Sequence, residues 1–514
     1  MSHTPVLELI RSSVPRMIEI LIIPLAIGLI LGKYLGRKTE RINRSNIKKT
    51  INILFGIGVI LIVFWFGSLI QHWFLYILPD NICCKWTWGY EPPVVTGFLL
   101  IDSMIAGEWS LTLEVFMRYI LPTLFLTVSI TALMARRTIR RSSETRFNNS
   151  IISNSLRVGM NFSMIFMYYI LVDTSFGLRG FGSDLIRSIE TGDYSVIKGF
   201  MFIILIFFLV VIFISNLKFI IVRSILKDRS EINFTQNPQD EGVGKNFKTD
   251  FKDSVKNLKR YFSERLKSRL TIIGGILVAF YIVISIFPQI ITPYSVEEAL
   301  EFGHRSWDPS STGHPLGTIY AGFDLLAHLI YGIRGLLVTG GIAVLIGLIG
   351  GLLFGTVASK FKQSDKLLTL GVMISFYIFP NIIIVIIMAA IAWYDYSTLV
   401  FIIGILLIPM FTRKIAQTKP KFADITRELI IYIPWVLIFA IFLYTSVGFL
   451  GFTGYKDFNL GYIIKEAYRH REVPEYYIAV FWPGLAVFII MIGFLLLHEG
   501  LKKTSIRSDY SRLG

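Results

Sequence analysis

Asp173 sits near the end of an apolar run, YYILVDTSFGLRGFG, residues 168–182. A carboxylate at that depth can line a polar route or bind a cationic group. It can equally cap the FGLRGFG turn that follows, or pair with Arg179. A second charged group lies in GHPLGTIYAGFDLLAHLIYGIR, residues 313–334, between two long apolar runs. Pro315 fixes one φ and Gly317 permits an unusual one, so HPLGT reads as an ordered turn. The run 319–333 is expected as an interfacial helix, with Asp324 and His328 on one face. His314, Pro315, Gly317, Asp324 and Arg334 read as structural residues of this segment rather than as ligands.

Other chemistry is missing from the sequence. There is no G-x-x-x-x-G-K-[ST] loop to cradle ATP phosphates, no H-E-x-x-H and no G-x-S-x-G elbow. The seven histidines are scattered, and Cys83 and Cys84 are adjacent, which makes no metal cage. No enzyme activity, cofactor or metal is expected of this chain. Gly347, Gly351 and Gly355 recur every fourth residue, a spacing that lets helices approach closely.

These residues are carried by a chain that is 54% hydrophobic over 514 residues. Runs of about 20 apolar residues span a bilayer. Eleven such runs are expected, at 15–36, 51–78, 115–135, 159–176, 199–222, 270–292, 336–358, 367–393, 397–412, 429–448 and 476–499. The fold class is therefore all-α, a polytopic membrane protein. The first apolar stretch lacks a basic leader and a cleavage site, so no signal peptide is expected. With the N-terminus outside, 37 of the 51 lysines and arginines fall in inner segments. The positive-inside bias thus favours N-out and C-in, and it accounts for most of the net charge of +16 without nucleic acid as a partner.

The longest polar stretch, 223–269, divides the chain into 1–222 with five spans and 270–514 with six. Within it Phe251, Val255, Leu258, Phe262 and Leu266 mark one helical face over 251–267. That helix is expected on the inner membrane surface, touching membrane lipids; the alternative is packing on protein. FGLRGFGSDL at 176–185 and VGFLGFTGYKDF at 447–458 occupy matching places in the two parts. Matching placement is what a pseudo-symmetric transporter shows. The partner of Asp173 is then Tyr444, whose hydroxyl stays neutral, so an acidic translocation site would be one-sided.

His314, Pro315, Leu316, Gly317, Thr318, Gly322, Asp324, Tyr331, Gly332 and Arg334 together resemble the block before a core helix in the dipeptide/oligopeptide permease family of ABC transporters. That family writes HPLGTD-x-x-GRD and then YGxR; Ile319 and Phe323 depart from it. SVGFLGF at 446–452 and the closing YYIAVFWPGLAVFIIMIGFLLLHEGLKK also resemble it. TPVLELIRSSVPRMIEI, FWFGSLI, VTGFLLIDSMIAGEW, RYILPTLFLT, LVDTSFGLRGFG and GDYSVIKG resemble, in order, its partner subunit. The resemblance implies two permease subunits fused in one chain, type I ABC importer-like, the first without its usual first helix. It implies separate ABC ATPase subunits, an extracellular or periplasmic substrate-binding protein, a peptide-like small solute, and a place in the cell membrane of a prokaryote.

One departure matters. The family's cytoplasmic loops carry a glutamate–alanine–alanine signature that docks the ATPase. Here 136–157 and 412–428 lack it and are shortened. Arg136, Arg137, Arg140, Arg141, Arg413, Lys414, Lys419 and Lys421 are what remain as candidate docking residues. The alternative is a permease-like scaffold or receptor that no longer couples to ATP hydrolysis.

Overall fold

The computed structural model describes residues 6–42, 44–61, 63–77, 94–141, 151–227, 247–301, 305–360, 381–392, 395–416, 422–470 and 476–502. Among these residues the chain forms sixteen α-helices and no strand. They are α1 Val6–Glu40, α2 Ser45–Val59, α3 Val63–Ile77, α4 Leu99–Ile105, α5 Trp109–Arg141, α6 Ile151–Phe176, α7 Phe181–Thr191 and α8 Tyr194–Lys227. After these come α9 Phe247–Leu266, α10 Arg269–Ile286, α11 Leu325–Lys360, α12 Asn381–Ile391, α13 Tyr396–Ala416, α14 Phe422–Phe449, α15 Leu460–Arg469 and α16 Tyr476–Leu501. The all-α, polytopic reading holds.

Among the described residues eight helices are long and apolar enough to cross a bilayer: α1, α5, α8, α10, α11, α13, α14 and α16. α6 lies over the expected 159–176, and α12 is the described end of 367–393. The expected 51–78 is not one rod. It is α2 and α3, bent by 75°. A break at membrane depth frees backbone carbonyls that lipid cannot satisfy. The Tyr168 hydroxyl, wholly buried, donates to the carbonyl of Val59 at this break. Sequence periodicity does not report that partner, which comes from α6.

Two helix pairs organise the bundle, and they are built alike. α1 packs along α5, and α11 along α13. On α1 the stripe is Gly28, Gly32 and Gly36. A Cβ on these would meet Ile130, Met134 and Thr138 of α5 at 2.7, 2.5 and 2.6 Å. On α11 it is Gly347, Gly351 and Gly355, facing Leu407, Phe411 and Ile415 of α13. Without side chains there the backbones approach closely, which is how helices gain dispersion contacts where lipid removes the hydrophobic drive between them. The expectation that 347, 351 and 355 serve packing holds; the equivalent stripe on α1 escaped the sequence reading.

The N-terminal set (α1–α8) and the C-terminal set (α10–α16) meet along a buried aromatic seam. Phe64 stacks on Phe449 with centroids 4.5 Å apart. Trp65 lies against Gly484 and Phe488 of α16. The Asn381 N–H of α12 donates to Ser163 Oγ of α6 at 3.2 Å. α8 and α10 instead turn Phe202, Leu209, Phe213, Ile276, Phe280 and Ile286 outward. Such apolar exposure suits lipid contact and would be a liability in water.

α9 touches the rest of the bundle along one side. Tyr261 donates to the carbonyl of Leu501 at the end of α16, at 2.8 Å, and its ring sits beneath Arg427 of α14. This side of α9 packs on protein, since Tyr261 finds a polar partner at the α16 C-terminus; on the expected apolar face Leu258 and Phe262 are half-buried and Leu266 is exposed.

Candidate functional site

The 313–334 block is a built cap for α11. Gly317 adopts φ +80°, and a Cβ there would strike the Asp308 carbonyl at 2.5 Å. Thr318 Oγ1 donates to the Arg305 carbonyl at 2.6 Å. Asp324 Oδ1 accepts from the Ala327 N–H at 2.6 Å, and Oδ2 lies 2.9 Å from His314 Nδ1. The His314 ring stacks on Tyr294. Pro315 and Arg334 are exposed, and Pro315 contributes its carbonyl to Ser310 Oγ at 2.6 Å. The expected helix over 319–333 is corrected. Ala321 and Gly322 both have positive φ and break the chain there. α11 then starts at Leu325 and runs without interruption to Lys360, because no proline follows. His328 is fully buried between Phe323 and Phe458, one turn inside the helix. Asp324→Ala is expected to cost about 1–2 kcal/mol, the usual value of a lost N-cap. Protease sensitivity confined to 305–324 in purified protein checks it; an unchanged cleavage pattern would count against the cap.

Asp173 ends α6 and is 0% exposed. Its Oδ1 accepts from the Gly180 N–H at 3.1 Å and its Oδ2 from the Ser183 N–H at 2.7 Å. It therefore caps α7, one of the two structural uses read from the sequence. Arg179 offers its carbonyl to Arg16 Nη1 at 3.1 Å. In the C-terminal set the matching cap of α15 is Asn459, whose Oδ1 accepts from Gly461 and whose Nδ2 donates to the carbonyl of Tyr444 at 3.0 Å. Tyr444 is buried, with its ring 6.5 Å from that of Tyr396.

Around these caps lie two matched polar clusters. Tyr396 and Thr339 share a hydrogen bond of 2.8 Å on the Tyr444 side. On the Asp173 side Tyr119 donates to Glu19 Oε2 at 3.2 Å, and Glu19 also accepts from the N–H groups of Leu99 and Leu100 at 3.0 and 2.9 Å. The Asp173 side is acidic; the Tyr444 side is built on hydroxyls, with the half-buried Asp457 beside them and its carbonyl 3.5 Å from the Tyr444 hydroxyl. Glu19 was missed in the sequence. A carboxylate inside an apolar run was the signal for it.

The candidate docking residues separate. Arg136 is 4% exposed and forms an ion pair with Glu499 of α16. It is thus taken up inside the protein, a correction to its place among exposed loop residues. Arg137 is half-buried one residue further on. Arg413 Nη1 lies 3.0 Å from Met160 Sδ, and Lys414 pairs with Glu428 at 2.7 Å. Arg140 and Arg141 end α5. Lys419 and Lys421 lie outside the described residues.

Sixteen helices with an apolar outer surface and buried polar caps define a multi-pass, all-helical membrane protein. The curated relatives it is similar to are permeases of peptide-type ABC transport systems. It is 24% identical over 276 residues to the glutathione transport system permease protein GsiD of Pectobacterium atrosepticum, covering 48% of this chain and 91% of that protein. It is 24% identical over 275 residues to the dipeptide transport system permease protein DppC of Alkalihalophilus pseudofirmus, covering 48% and 89%. It is 24% identical over 226 residues to the probable D,D-dipeptide transport system permease protein DdpB of Escherichia coli, covering 39% and 66%. No family model matches the chain. The resemblance read from the HPLGT and closing blocks agrees with these relatives.

Proposed function

We propose that the chain forms the translocation path of an ABC-type importer for peptides or a similar small solute, with two permease subunits fused as 1–222 and 270–514 and joined by 223–269. One observation carries this reading: 48% of the chain accommodates 91% of a whole permease. The two glycine-striped helix pairs support it, since each set repeats the same packing device. Two halves rocking about the aromatic seam would expose a central site alternately. In this reading the polar clusters at Asp173 and Tyr444 would line the path, and the α11 cap at His314 and Asp324 would stand at its outer end.

ATP hydrolysis belongs to separate subunits docking on the loops that follow α5 and α13, with Arg140, Arg141, Lys419 and Lys421 the residues left for contact. A binding protein delivers solute to 79–114, 177–198, 293–335 and 449–475. The chain lies in the cell membrane of a prokaryote, N-terminus outside and C-terminus cytoplasmic. A permease-like scaffold is the less favoured reading, because the relatives carry transport names.

The test is co-purification from the native cell. The chain is expected to bring down a P-loop ATPase. Replacing 417–421 with glycine and serine of equal length is expected to reduce the recovered ATPase at least about tenfold, a loss of about 1.4 kcal/mol. Full recovery after that change would sink the docking assignment, and a tag at residue 1 reached only from inside would sink the orientation.

A further inference from the structure

Among the described residues a buried charge pair joins the two sets at the end of the bundle where α5 and α13 end. Glu499 lies in the last turn of α16, where the helix dipole disfavours a carboxylate. It is only 4% exposed. Three partners compensate it. Arg136 of α5 pairs with one oxygen, Lys502 reaches the same oxygen at 3.2 Å, and Asn52 of α2 donates to the other at 2.8 Å. The Arg136 guanidinium lies 4.2 Å above the Trp435 ring of α14. Trp435 packs against His498, and His498 Nδ1 bonds the Ile431 carbonyl at 2.6 Å. Four helices, α2 and α5 from one set and α14 and α16 from the other, therefore converge on one ion pair.

The opposite end is joined differently. Lys465 of α15 meets Glu190 of α7 at 3.3 Å, with side chains 15% and 37% exposed. Tyr468 donates to Gln71 at 2.8 Å. Partly exposed pairs contribute little and are screened by salt. Separating a buried pair strands two uncompensated charges and is far more costly. The two seams are thus unequal in strength.

We propose that Arg136 and Glu499 form a latch between the two sets that holds the loop end of the bundle shut, so that the resting chain separates at the α7–α15 end first. This rests on the reading of the chain as a two-part path. The residue that matches Arg136 on α13 is Arg413, whose Nη1 lies 3.0 Å from Met160 Sδ. Opening the loop end requires Arg136 and Glu499 to part together, and a separate subunit docking beside them would act on this pair.

The test uses the full chain in nanodiscs, with Cys83 and Cys84 replaced by serine and spin labels at Thr50→Cys and Ser263→Cys. Both positions are exposed, one on α2 and one on α9, which is docked to α14 and α16. One short distance population is expected. Glu499→Gln and Arg136→Gln should each raise a longer population about tenfold, and Arg136→Glu with Glu499→Arg should return most of it. If those variants do not fold, Asn52→Ala removes one hydrogen bond to the pair and should give a smaller shift in the same direction. A distance unchanged in every folded variant overturns the latch. The readout needs neither solute nor ATPase, so a chain that transports nothing would still show it.

Discussion

Asp173→Asn is expected to destabilise the protein by about 3 kcal/mol. The carboxylate has two oxygens and each accepts one backbone N–H at the start of α7. Asparagine keeps one acceptor and turns an amide donor toward the other N–H. A buried donor left facing a donor loses its desolvation energy, about 1–3 kcal/mol, and the charge assistance of the remaining bond is lost as well. The loss should appear as a lower temperature of aggregation in detergent and as faster exchange of the amides at 180 and 183. Normal thermal behaviour with altered solute uptake would instead return Asp173 to the translocation path.

Leucine at Gly351 or Gly32 is expected to be more severe. At Gly351 even a Cβ overlaps Phe411, and at Gly32 it would stand 2.5 Å from the Met134 Cβ and 2.7 Å from the Thr131 carbonyl. Backbone cannot yield as a flexible side chain can. Overpacking costs about 1–3 kcal/mol for added methylenes in a core, and here the whole length of two helices would have to part. Loss of most of the monodisperse protein is expected for either variant. Gly341 lies on the same α11 with nothing within 4 Å of its Cβ direction. Gly341→Ala should be silent or slightly stabilising, since alanine is the better helix former. Equal behaviour of Gly351→Leu and Gly341→Ala would refute the close approach of α11 and α13.

Much of the bundle was legible because its signal is local. Apolar runs report helices wherever water is absent, whether or not the neighbours are known. The G-x-x-x-G spacing at 347–355 reported packing for the same reason. The equivalent stripe at 28–36 has the identical spacing and was readable in principle. The break between α2 and α3 was not, because its stabilising donor, Tyr168, is more than 100 residues away.

The sites divide along the same line. HPLGT and Asp324 lie within one turn and its helix start, so their structural role could be argued from sequence. Asp173 could be narrowed to a path residue, a cap or a partner of Arg179. Its two N–H partners then placed it as a cap. Arg136 looked like an exposed loop cation because its acidic partner, Glu499, is 363 residues distant.

The sequence by itself determined that the chain is helical, multi-pass and similar to peptide-type permeases, since hydropathy, charge bias and motif order need no tertiary contact. Only the tertiary structure decided which polar groups are spent on caps, which helix is broken, and which charges join the two sets. Those outcomes depend on pairs of residues brought together across long stretches of chain, and in a medium without water a polar group's role is set by the partner it reaches.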